Sequence, residues 1–171
     1  EELGALCLSG EPRAEATLRL ALAELAALSM AHEVRRQSFV APSAPKPKRR
    51  SAAMAPMWVD VAMELANEAL RIFAQEEDVH MAASAKLTLS FIHLLNPLSN
   101  FRVSASSALL FAKEAAEAFD AVGDVCGVGK ARHNAAAACA AMSNFENALD
   151  SGQRALKAFR RLGDARMEAL E

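Results

Sequence analysis

Small and apolar residues recur in this chain at helical spacing. Three segments share the same order: Ala62, Ala66, Ala69 and Phe73; Ala108, Ala112, Ala115 and Phe119; Ala148, Gly152, Ala155 and Phe159. Offsets of 4, 7 and 11 keep these residues on one stripe of a helix. Such a stripe lets neighbouring helices approach closely, and the phenylalanine plugs its end. Each stripe is followed by polar punctuation. Gly123-Asp124 and Gly163-Asp164 pair a residue suited to a left-handed helix end with one suited to cap the next helix. Gly10, ahead of Pro12, and Glu77, ahead of Asp78, mark two more such points. The four points are 67, 46 and 40 residues apart, so the last spacing is the undisturbed unit. The first two intervals carry insertions. The six-residue surplus falls near Asn96-Pro97. The longer one contains "SFVAPSAPKPKRRSAAMAPM", which reads as an extended, solvated, basic and proline-rich segment over residues 38–56.

The pattern predicts helices over residues 13–37, 57–75, 79–95, 101–121, 125–142 and 144–162, and another from 165 onward. The fold class is all-α: antiparallel helix pairs joined by short turns, stacked as an α-solenoid. No single pair can bury its apolar face alone, so stacking supplies the core. Residues 1–37 form a first, divergent repeat, and residues 57–171 form repeats expected to continue beyond the chain.

Composition agrees with this reading. Hydrophobic residues make up 53% of the 171 positions, while aromatic residues make up 5%, with one Trp and no Tyr. Much of the apolar content is alanine, the best helix former, and few β-branched or aromatic runs could build strands. The 19 basic and 21 acidic residues leave a net charge of −2, which gives no broad footprint for nucleic acid or anionic lipid. The longest uninterrupted apolar run, "AAAACAAM", is far short of the roughly 20 residues that span a bilayer. Cys7, Cys126 and Cys139 read as reduced thiols, with an intracellular and most readily cytoplasmic location.

The phrase "GDVCGVGKARHNAAAACAAMSNFENALDSGQRALKAFRRLGD" (residues 123–164) resembles the tetratricopeptide repeat (TPR) in a long-repeat class of adaptor and scaffold proteins. The "GD" turn, "GKA" opening a first helix, "NFENAL" opening a second and "ALKAFRRLGD" closing it carry the resemblance. Ala136, Ala148 and Ala155 match small positions of that family, and Cys139 stands where it usually has Tyr. The resemblance implies a TPR-like superhelix whose concave groove, lined by the first helix of each pair, takes an extended or helical peptide of a partner protein. Carried onto this sequence, the groove positions are Ser84, Leu87, Thr88 and Phe91 in one repeat and Lys130, His133, Asn134 and Ala137 in the next. Asn134 leads this set, because its amide both donates and accepts and so matches a peptide unit in either direction.

No catalytic or metal constellation stands out. His32, His80, His93 and His133 are dispersed, and Cys126 and His133 have poor spacing for a zinc site. "GDVCGVGK" lacks the spacing of a phosphate-binding loop and has no preceding strand. Cys139 lies in an alanine run with no adjacent histidine. No enzyme activity and no cofactor are expected within these residues. The basic run "KPKRR" (residues 46–50) with Ser51 suits a solvated loop, an import signal or a phosphorylation site. The expectation is a non-catalytic protein–protein interaction module binding a peptide segment. The alternatives are a structural subunit packed permanently in a larger assembly, or a regulatory helical domain of a larger enzyme.

Overall fold

A computed structural model describes residues 12–38, 50–96 and 101–163. Among them lie six helices: α1 (Pro12–Ser38), α2 (Arg50–Gln75), α3 (Val79–Leu95), α4 (Phe101–Ala121), α5 (Val125–Ala141) and α6 (Phe145–Leu162). The described residues form no strand, so the molecule is all-α there. Residues 39–49, the turn after Asn96 and the helix expected from 165 lie outside the described residues. So do Cys7 and all of "KPKRR" except Arg50.

The expected helix boundaries match closely except at α2. That helix begins at Arg50, seven residues ahead of Met57 and through Pro56. Pro56 lacks the amide that an interior helical position would donate, which is why the sequence reads as a break there. Upstream of it, "RSAAMA" consists mostly of good helix formers.

The helices join through one repeated turn. Glu77, Gly123 and Ser143 each adopt the left-handed conformation, with φ of 55°, 76° and 61°. The next residue's amide then donates to the carbonyl five residues back: Asp78 to Phe73, Asp124 to Phe119 and Asn144 to Cys139, each at 2.9 Å. This satisfies carbonyls that a helix end would otherwise leave open. The same residue caps the following helix. Asp78, Asp124 and Asn144 accept from the amides of Met81, Gly127 and Asn147 at 3.1, 2.9 and 3.4 Å. Gly163 is left-handed too, at φ 66°. "MSN" at 142–144 is therefore the same device as "GD", written with Ser in place of Gly. Cys139 occupies the position that Phe73, Phe119 and Phe159 hold in the other helices.

Consecutive helices pack against each other from α1 to α4 and on through α5 to α6. In addition α1 touches α3, and α3 touches α5, whereas α2, α4 and α6 make no contact among themselves. The odd helices thus crowd together and the even ones splay. The three phenylalanines tie the pairs into register. Phe73 shares a core cluster with Ala16 of α1 and Ala85 of α3. Phe119 shares one with Ala83 of α3 and Ala131 of α5. Phe159 lies so close to Gly129 of α5 that a β-carbon there would come within 2.6 Å of its ring. Ala16, Ala83 and Gly129 are equivalent positions at the repeat spacings of 67 and 46, and Ala85 and Ala131 are equivalent at the second of these. Each phenylalanine closing an even helix therefore meets the small residue of its own odd partner. Phe73 and Phe119 also meet one on the following odd helix. Gly127 is equally constrained, since a β-carbon there would lie 2.5 Å from the Phe119 ring. The two glycines of "GVG" serve close packing.

Candidate functional site

The eight positions singled out from the sequence lie on two odd helices, α3 and α5. Four lie on α3. Ser84 is half-buried and its hydroxyl donates to the His80 carbonyl at 3.1 Å, within the helix. Leu87 packs against the Phe119 cluster, and Phe91 against the cluster formed by α1, α2 and α3. Thr88 is buried, with its hydroxyl placed 3.0 Å from the Ser84 carbonyl and 3.3 Å from Glu24 Oε1 on α1.

The other four lie on α5. Lys130 and Ala137 are exposed, and His133 is half-buried. Asn134 is only 8% exposed, and its Nδ2 donates to the Leu87 carbonyl of α3 at 3.5 Å, the outer limit of a hydrogen bond. A shift of 46 residues superposes Thr88 on Asn134. Both are buried polar residues that reach back to the preceding odd helix. The face presented to solvent is thus Lys130 and Ala137, bordered by Ser84 and His133. Thr88 and Asn134 lie beneath it and hold the odd helices together.

A second set of polar contacts lies at the helix starts, and reading the sequence did not single it out. Arg13 forms an ion pair at 2.7 Å with Asp78, the cap of α3. His80 Nε2 lies 3.1 Å from Oδ2 of Asp124, the cap of α5, while its ring meets Phe119 edge-on at 5.5 Å. Arg13 and His80 are the second residues of α1 and α3, so each reaches the cap of the next odd helix. The 67-residue spacing that separates them was the signal available in the sequence. Burial pushes the Asp124 carboxyl upward. The Gly127 amide and His80 outweigh it and hold the carboxyl below its ordinary value.

Two other ionisable groups are shaped by burial. His93 lies stacked on Phe111 at 5.7 Å and its Nδ1 has no partner among the described residues. Desolvation lowers its pKa, so the neutral ring is favoured. Burial raises the Cys139 thiol, with Lys113 opposing, which keeps it protonated and a poor nucleophile. Cys126 and Cys139 are both free thiols.

Among the described residues, no group of three or more His, Cys, Asp or Glu side chains is placed to hold a metal. No described helix is long and apolar enough to cross a membrane. An open concavity of about 720 Å³ lies on the outer side of α6, between Gln153, Leu156, Lys157, Arg160 and Arg161, away from the eight positions. No protein-family model, no curated protein and no solved structure matches this chain.

Proposed function

We propose that the chain is a non-catalytic protein-interaction module, a TPR-like α-solenoid, three helix pairs of which lie among the described residues, that binds a peptide segment of a partner on the face of its odd helices. The observation that carries this reading is the asymmetry of packing: odd helices touch one another while even helices do not. Rows packed at unequal spacing curve the stack, with the crowded row inside. The inner row then presents Lys130 and Ala137 to a ligand. Lys130 supplies a cation for an acidic side chain or terminal carboxylate, and Ala137 supplies room for a bulky one. Thr88 and Asn134 set the spacing of the rows. Asn134 also offers an amide at the floor of the groove, because its bond to Leu87 is long enough to yield to a peptide carbonyl.

A structural-subunit reading draws support from Leu25 and Leu28 of α1 and Phe145 and Leu149 of α6, which are large, apolar and between 59% and 69% exposed. These lie at the two ends of the stack, away from the groove.

The test is selection of a displayed random-peptide library on the purified chain, with the Lys130→Glu/Ala137→Arg double variant as the comparison. Both residues are exposed, so circular dichroism of the variant should match wild type. Peptides enriched on wild type and lost on the folded variant support a groove ligand. Equal enrichment on both, or none on either, removes the proposal.

A further inference from the structure

Shifts of 67 and 46 superpose Arg19, Lys86 and Arg132 on the three odd helices. Shifts of 46 and 40 superpose Glu68, Glu114 and Arg154 on the three even ones. In the first pair Arg19 forms an ion pair with Glu68, and in the second Lys86 pairs with Glu114 at 2.9 Å. The third pair keeps the same register, because Phe159 meets Gly129 where Phe119 packs with Ala83. Arg132 therefore has an arginine opposite it where the other two pairs have a glutamate. Arg132 is half-buried, and no hydrogen bond or ion pair engages it among the described residues. Arg154 bonds Asp150 of its own helix at 3.0 and 3.1 Å, an exposed pair that contributes little. That pair uses two of the five guanidinium donors. The inversion continues along α6, where Lys157 and Arg160 superpose on Glu117 and Asp120 of α4. Both are exposed, and with Leu156 they line the concavity on α6.

Two guanidinium groups set against each other repel, and an anion between them relieves the repulsion while accepting their hydrogen bonds. The chemistry of that anion follows from the other two pairs, where a carboxylate occupies this place. The charge is local to the third pair. Residues 125–163 hold six basic and two acidic side chains, whereas residues 79–121 hold three of each. We propose that Arg132 and Arg154 form a carboxylate-binding site, continued along α6 by Lys157 and Arg160, that takes an acidic segment of a partner protein. An incoming Glu or Asp side chain takes the place that Glu68 and Glu114 fill in the other pairs. Arg154, Lys157 and Arg160 follow one another at a spacing of three, which sets them side by side on the helix and suits a row of carboxylates. The site rests on the register of α5 and α6 and not on the groove, so neither proposal stands or falls with the other.

Fluorescence anisotropy of a labelled hexaglutamate peptide, titrated at low salt with the whole 171-residue chain, tests it. Arg132→Gln and Arg154→Glu should each weaken binding by about tenfold. The second does so by giving Arg132 the internal carboxylate that the other pairs have. Neither arginine is fully buried, so circular dichroism of both variants should match wild type. Arg71→Glu makes the same change of charge on α2, which touches neither α5 nor α6, and should leave the affinity within about twofold. Absence of binding by wild type overturns the proposal, as does undiminished binding by Arg132→Gln. A loss on Arg71→Glu equal to that on Arg154→Glu overturns it in favour of diffuse attraction to net charge. Tighter binding of hexathymidylate, lost in the same two variants, overturns it in favour of a phosphate ligand.

Discussion

The second helix pair (α3 and α4) and the third (α5 and α6) share one register, yet they bury different things. Ala105 of α4 and Phe145 of α6 are equivalent, 40 residues apart. The alanine is 3% exposed and the phenylalanine 69%. The second pair has described neighbours on both sides and the third on only one. Burial in this architecture is therefore set by the neighbouring pair more than by residue type. The odd helices differ as well. Leu89 and Ile92 fill α3 where α5 has Ala135 and Ala138, and Ala83 of α3 is answered by Gly129 of α5. The third pair gives up side-chain volume for close approach.

The largest expected effect separates the two pairs directly. Phe119→Ala removes a ring buried between α3 and α5 and should cost about 3–5 kcal/mol in urea unfolding. Phe145→Ala should cost less than about 0.5 kcal/mol, because that ring is already in solvent. Equal losses would break the comparison.

Next in size is the close approach at α5. Gly127→Ala should destabilise by about 1–3 kcal/mol, because the new methyl meets the Phe119 ring and crowds the Asp124 cap. This loss should appear although alanine is the better helix former by about 1 kcal/mol. A gain in stability would mean that Phe119 moves freely aside.

The caps should sharpen the comparison by about 1 kcal/mol. Asp124→Ala should cost more than Asn144→Ala, since Asp124 also holds His80 and its amide contact is 2.9 Å against 3.4 Å. The pH dependence follows from the lowered Asp124 pKa. Its contribution is present above the ordinary value of 3.8 and is lost as pH falls through the lower folded value. Asp124→Asn should flatten the stability curve in that acid window. His93 acts in a different range with the same sense. Its folded pKa lies below 6.5, so protonation opposes folding as pH falls below that point, and His93→Phe should remove the slope.

The smallest effects lie in the turns. Gly123→Ala forces a side chain into the left-handed region and should cost about 1 kcal/mol, whereas Glu77→Gly and Ser143→Gly should be neutral or slightly stabilising.

Much of the fold was legible because helical periodicity, the phenylalanines and the Gly-Asp pairs each point to the same helix ends. The start of α2 was not, since Pro56 reads as a stop even where the surrounding residues favour helix. The turn at Ser143 was placed, but its identity with the Gly-Asp turns was not visible, because a left-handed serine has no compositional signature. The "GVG" of α5 could be excluded as a phosphate loop, but its packing role depends on Phe119 and Phe159, which lie 8 and 30 residues away in sequence. The eight positions singled out from the sequence lie on α3 and α5. That Thr88 and Asn134 are buried in contacts between those helices could not be read from the residues, since a polar side chain suits an inter-helix bond and a ligand equally well.

The central claim is that each phenylalanine closing an inner even helix spans two odd helices, its own partner and the next. Nuclear Overhauser effects from the Phe119 ring test it most directly. The account predicts cross-peaks to the methyls of both Ala83 and Ala131. Cross-peaks to one of them alone, in a chain shown to be folded, would contradict the shared register on which the stack is built.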